Sequence, residues 1–120
     1  MDNRQKVLII EDNAEHRNIL QDTLGYYGFD LIICKDGIEA QLCKEIGAFD
    51  YVITDYRMPG MNGLELTRWF REQVPLCIII GMSGDDVGED FLRAGANDFL
   101  LKPFVPYDLA TMIDGTNIPA

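Results

Sequence analysis

"YVITDYRMPGMNGLELTRWFREQ", residues 51–73, holds one complete unit of the fold. Tyr51 to Thr54 is a continuous apolar and β-branched run, which suits a strand covered on both faces better than one alternating between core and water. The run stops on Asp55. Pro59-Gly60 and Asn62-Gly63 are turn pairs. From 63 to 73 the apolar spacing becomes helical, with Leu64, Trp69 and Phe70 expected to face inward and Pro75 closing the segment. The unit is a buried strand that carries a carboxylate to its carboxyl edge, a sharp turn, and a helix.

The same unit recurs along the chain. Short apolar runs lie at 6–10 ("KVLII"), 29–34 ("FDLIIC"), 76–80 ("LCIII") and 98–101 ("DFLL"). Helical spacing fills the intervals. In "AEHRNILQDTLGYYG", Ile19, Leu20, Leu24 and Tyr27 share that spacing and Gly28 supplies a stop. A second helix is expected over 37–46 before Gly47 and a fourth over 86–94 before Gly95. The last, over 106–113, opens with Pro106 and Asp108, where a fixed φ and a negative charge suit a helix N-terminus. Five β-then-α units imply right-handed crossovers and an open parallel sheet with helices on both faces. One domain is expected over 1–120, with its core at about 5–114 and a short tail at 115–120.

Composition narrows the function. The chain has 20 acidic and 10 basic residues, a net charge of -10, and no Lys/Arg cluster, so direct nucleic-acid binding is not expected. The first apolar run is too short for a signal peptide or a membrane span, which points to a cytoplasmic protein with no membrane insertion. Cys34, Cys43 and Cys77 are odd in number and lack C-x-x-C spacing, as expected of thiols in a reducing compartment. His16 stands alone in the first helix and reads as a solvated residue. Neither G-x-G-x-x-G nor a Gly-Lys-Ser/Thr run follows the first strand, which excludes dinucleotide and NTP cradles.

In a sheet of this type the binding crevice lies outside the carboxyl ends of the strands. The polar residues there are Glu11 and Asp12, Asp55, Ser83 and Lys102. Carboxylates brought within about 4–6 Å repel by up to ~4 kcal/mol per close pair. Lys102 can offset one charge, and a hard divalent cation such as Mg2+, which takes oxygen ligands, can offset the rest.

"VLIIEDN", "DYVITDYRMPGMNGLEL", "IIIGMSG" and "AGANDFLLKPFVPYDL", in that order and each at a strand end, resemble the receiver domain of two-component response regulators over nearly the whole chain. The resemblance implies a flavodoxin-like (βα)5 doubly wound sheet of strand order 2-1-3-4-5. It implies that Asp55 is the phosphoryl acceptor. Glu11 and Asp12 would be the Mg2+ pair, joined by Asp55 and the backbone carbonyl of Arg57; Mn2+ would substitute. Ser83 and Lys102 would each contact a phosphoryl oxygen, Phe99 would be the aromatic switch, and Pro103 the proline after the lysine.

The implied partners are a histidine kinase or histidine phosphotransferase, and a downstream protein or an output domain outside this chain. Such a domain assists its own phosphorylation and dephosphorylation but is not an enzyme with a separate substrate. Two other readings fit less well. An aspartyl-phosphate hydrolase of the haloacid dehalogenase type needs a second Asp where Arg57 stands, and a cap this chain has no room for. A degenerate receiver, working without phosphorylation, would not be expected to keep Glu11, Asp12, Asp55 and Lys102 together.

The sequence departs from the family pattern after Ser83. Lys102 follows it by 19 residues, about three fewer than usual and close to one helical turn. The fourth helix is therefore expected to be short, and loosened by Gly88 in its interior. An atypical output face is expected in turn, without the usual dimer through it. Arg57 and Asp85 occupy positions that in the family border the path of the hydrolytic water, which makes them candidates for tuning the phosphoryl lifetime.

Overall fold

The computed structural model describes residues 4–43 and 46–114. Strands β1 (Lys6–Ile10), β2 (Asp30–Cys34), β3 (Tyr51–Asp55), β4 (Ile78–Ser83) and β5 (Asp98–Leu101) form one parallel sheet in the order β2-β1-β3-β4-β5. Between and after them run α1 (Ala14–Tyr26), α2 (Gly37–Gln41), α3 (Gly63–Gln73), α4 (Gly88–Ala94) and α5 (Pro106–Asp114). The continuous apolar runs have a direct cause. In β1, Val7 and Ile9 join Leu20, Leu24, Leu109 and Ile113 on the α1/α5 face. Leu8 and Ile10 join Leu66, Phe70 and Phe91 on the other. Both pleat faces are dry, so every position must be apolar. Each such side chain is worth about 1.5–3 kcal/mol of burial.

α3 and β5 match their expected bounds, and Asn62 caps α3 by accepting from the backbone N–H groups of Leu64 and Glu65. Several expectations need correction. β4 runs from Ile78 to Ser83, two residues later than the apolar run suggests at its start, because Leu76 and Cys77 belong to the preceding turn and Leu76 is 96% exposed. α2 ends at Gln41, and a 3-10 turn at Ile46–Ala48 follows; residues 44 and 45, inside the expected 37–46 helix, lie outside the described residues. In α1, Ile19 is exposed, and Leu20 and Leu24 make the contact. In α3 the fully buried residues are Leu66, Thr67 and Phe70, while Leu64 and Trp69 pack at the margin.

The fourth helix is short, at seven residues. Gly88 is its first residue, not an interior one, so the interior glycine penalty does not apply. A Cβ there would lie 3.1 Å from the Phe99 ring, so the glycine admits close packing of β5. The far end of α4 is held from outside. Gly95 takes φ 117° as the helix stop, and its carbonyl accepts from Arg71 Nε at 3.0 Å and Nη2 at 2.8 Å. The same guanidinium donates to the carbonyls of Pro75 and Cys77 and to Asn97 Oδ1. One α3 side chain thus ties together the turns before β4 and β5.

Phe91 of α4 is fully buried with its ring lying over Gly81 of β4, where a Cβ would come within 2.4 Å of a ring carbon. Gly81→Ala should therefore cost roughly 1–3 kcal/mol by overpacking. Combined with Phe91→Leu, which opens room at the same contact, the alanine should cost much less than it does alone. A urea-unfolding double-mutant cycle reads this coupling; additive losses would show that the ring is free to move aside.

Candidate functional site

The carboxyl ends of β1, β3, β4 and β5 converge on one crevice, and register sets what each presents. Ile10 pairs with Thr54, so Glu11 follows β1 beside Asp55 at the end of β3. Asp55 pairs with Met82, which places Ser83 one residue further along β4. Lys102 follows β5, and its backbone N–H donates to the Ser83 carbonyl at 2.8 Å. α3 begins hard against the acceptor loop: Gly63 N–H donates to the Tyr56 carbonyl at 2.8 Å, and a Cβ on Gly63 would lie 2.1 Å from the Asp55 carbonyl oxygen. Only glycine fits there.

Carboxylate oxygens of Glu11, Asp12 and Asp55 all lie within 4.8 Å of one another. Glu11 is fully buried, Asp55 is 7% exposed, and Asp12 faces solvent. Lys102 Nζ bridges the two buried acids, 2.7 Å from Glu11 Oε1 and 3.2 Å from Asp55 Oδ1. Asp55 Oδ1 also accepts from the Tyr56 N–H at 3.1 Å, so Oδ2 is the oxygen outside the lysine and backbone contacts. A cavity of about 730 Å³ opens over this group, lined in part by Asp12, Asp55, Arg57, Ser83 and Lys102.

Two buried acids beside one lysine cannot both ionise cheaply. Burial above all, and then the hydrogen bond and charge of Glu11, push Asp55 up to about 8 against the opposing pull of Lys102. Glu11 goes the other way. Burial works to raise it, but hydrogen bonds from Asp55, Lys102 and the Asn13 backbone outweigh that and hold it at about 2. Lys102 is raised: burial works against its charge, and the Glu11 hydrogen bond and both acidic charges prevail. Without a cation the buried pair thus gives up its last proton reluctantly, and Asp55 is the partner whose ionisation is opposed. An all-oxygen cluster with a shortage of positive charge fits a hard divalent cation, and Glu11, Asp12 and Asp55 are the side chains able to hold it.

Ser83 Oγ accepts from the Asp85 N–H at 3.0 Å, so its own hydroxyl hydrogen is available to the cavity. Arg57 Nε meets Asp85 Oδ2 at 2.5 Å, joining the loops after β3 and β4 at the cavity mouth. Phe99 is half-buried, its ring 5.7 Å from Phe91, which in turn lies 6.3 Å from Tyr56 beside the acceptor.

The sequence reading missed two neighbours of Glu11. Arg17 Nη1 donates to the carbonyls of Glu11 and Asp12 at 3.0 and 2.9 Å, pinning the acidic loop. His16, expected to be solvated, is instead 23% exposed by its side chain and pairs through Nδ1 with Glu11 Oε1. The available signal was Asn13: as N-cap of α1 it folds the first helical turn back toward the residues just before it.

Comparison with known proteins bears on the same residues. The family model described as "Response regulator receiver domain" matches residues 7–114. Among curated relatives, the chain is 33% identical over 122 aligned residues to chemotaxis protein CheY1 of Helicobacter pylori, covering 93% of this chain and 98% of that one. It is 30% identical to the DNA-binding response regulator MtrA of Mycobacterium tuberculosis, with 92% of this chain matching 49% of that longer protein. Among solved structures, the Francisella response regulator 1452 receiver domain superposes with a TM-score of 0.86 at 25% identity, over 95% of this chain and 97% of that one.

The charge imbalance yields a stability prediction. Asp55 has a folded value of about 8, above its unfolded value, so its contribution is fully present below the unfolded pKa and is lost as pH rises through about 8. Asp55→Asn should therefore stabilise the metal-free protein by roughly 1–3 kcal/mol at pH 8 and by little near pH 4. Thermal unfolding in a chelator checks this, and adding a divalent cation at pH 8 should narrow the gap.

Proposed function

The chain belongs to the response regulator receiver domain family, and from that premise we propose that it takes a phosphoryl group from a phosphohistidine onto Asp55 and changes surface in response. The observation that carries this reading is the placement of Asp55. It ends the central strand, grouped with Glu11 and Asp12 and 3.2 Å from Lys102.

In the proposed reaction, Asp55 Oδ2 attacks phosphorus in line, the P–N bond to the donor imidazole breaks, and the imidazole leaves with a proton from solvent. Little covalent assistance is needed in a loose phosphoryl transfer; positioning and charge stabilisation do the catalysis. Glu11, Asp12, Asp55 and the Arg57 carbonyl would hold Mg2+, or Mn2+ in its place, and the ion would supply positive charge that favours the ionised form of Asp55 and offsets the incoming phosphate. Lys102 needs only to lengthen its contact with Asp55 to reach a phosphoryl oxygen. Ser83 can donate to another oxygen while still accepting from Asp85.

The product carries nearly two negative charges and three strong acceptors at the end of β3. Ser83 moving toward them would relax the β4–α4 loop. Phe99, stacked on Phe91, would then shift and remodel the surface of β5 and α4. The chain transfers no group to a separate substrate. Its donor is a histidine kinase or histidine phosphotransferase, and its output is a protein surface or a linked output domain, with no direct nucleic-acid contact. Among the described residues no helix is long and apolar enough to cross a membrane, and the reading assigns the reaction to the cytoplasm.

Incubation with a small phosphodonor and Mg2+ should add about 80 Da to the intact mass. The adduct should be absent from Asp55→Ala and from chelator-treated protein. No adduct in the wild type would refute the reading and favour a receiver that works without phosphorylation.

Arg57 and Asp85 are proposed to set the lifetime of the phosphoryl group. Their ion pair is exposed and contributes little to stability, but it crosses the route by which water reaches Asp55. Arg57→Ala, Asp85→Ala and the double variant should each shorten the dephosphorylation half-life several-fold and by a similar factor. Unchanged half-lives in both single variants would remove the role.

A further inference from the structure

Glu11 is a fully buried carboxylate whose oxygens are unequally used. Oε1 meets both Lys102 Nζ and His16 Nδ1, whereas Oε2 accepts from the Asn13 N–H at a longer 3.2 Å, and Asp55 adds a hydrogen bond to the same carboxylate. Oε2 is therefore the oxygen with no lysine or imidazole partner.

His16 is itself fixed from two sides. Its backbone N–H donates to Asn13 Oδ1 at 2.9 Å as part of the α1 cap. Its ring packs on Phe104, with centroids 5.7 Å apart at 60°. Phe104 follows Lys102 and Pro103 directly. One imidazole thus spans the acidic loop after β1 and the lysine loop after β5. A solvated histidine would have no reason to point inward, and a purely packed one would not aim a ring nitrogen at a carboxylate.

We infer that His16 is a positioning residue for the metal site: through an Nδ1–H donated to Oε1, it fixes the Glu11 carboxylate so that Oε2 is the oxygen presented to a divalent cation. This rests on the proposed cation role of Glu11. Outer partners that orient a ligand commonly change metal affinity by about 10–100-fold. Without the imidazole, Oε1 would keep Lys102 but lose its only tie to α1, and the carboxylate would be held less firmly in this orientation.

The test is Mn2+ titration of the full chain, following the free ion by electron paramagnetic resonance. His16→Phe keeps a ring against Phe104 and removes the donor; His16→Asn loses the ring but places an amide N–H close to the position of Nδ1. His16→Phe should weaken Mn2+ binding about 10-fold, and His16→Asn should stay within about 3-fold of wild type. Thermal unfolding in chelator shows whether each variant folds, with His16→Leu replacing His16→Phe if the latter does not. Wild-type affinity in the donor-less variant would overturn the inference, as would equal losses in the Phe and Asn variants. A wild type that binds no Mn2+ would instead defeat the metal role in the proposed function, and this inference with it.

Discussion

A single lysine faces two buried carboxylates and a third at the rim, and much of this crevice is arranged around that shortage of positive charge. Lys102 cannot be in salt-bridge contact with all three acids. Its ammonium lies closer to Glu11 than to Asp55, and the two acids diverge accordingly, the first lowered and the second raised from the usual carboxylate range. Arg17 gives its hydrogen bonds to backbone carbonyls of the loop and leaves the carboxylates to others. The crevice is thus kept short of cations by construction, and that shortage gives an added ion or a mobile lysine its leverage.

The scaffold meets this demand by close contact between backbone and rings. Gly63 lets α3 start against the Asp55 carbonyl, and Gly81 lets Phe91 lie flat on β4. With so little slack, a shift at the acceptor loop must be passed on to its neighbours, because close-packed interiors do not compress. Tyr56, Phe91 and Phe99 form the contiguous chain of rings by which such a shift can leave the site.

Much of this was legible in the sequence. The continuous apolar runs located all five strands because both faces of the sheet are covered, and the polar residues beyond four of those runs are Glu11, Asp55, Ser83 and Lys102, which the structure brings to one crevice. Local signals also fixed α3, where the Asn62 cap and the helical spacing agree. What sequence reasoning missed depends on tertiary context. The start of β4 is decided by its register with β3, so Leu76 reads as strand but is exposed turn. Gly88 reads as a weak point in a helix but makes room for Phe99 from a strand eleven residues on. His16 reads as a lone surface residue because its partners, Glu11 and Phe104, come together only when α1 and the loop after β5 fold onto the same edge.

The clamp formed by Arg71 separates two design problems. Ser83 and Lys102 are positioned by the pairing of β4 with β5, where Ser83 sits opposite Leu101 and Lys102 bonds its carbonyl. The helix between them packs on both strands through Phe91 but carries no hydrogen bond of that register. The returning chain is anchored at Gly95 and Asn97 by one side chain, so the start of β5 is held from α3 as well as from α4. A change in the length of that connection would therefore be taken up first by the surface of α4, with the β4–β5 register and the Arg71 anchor standing between it and the crevice.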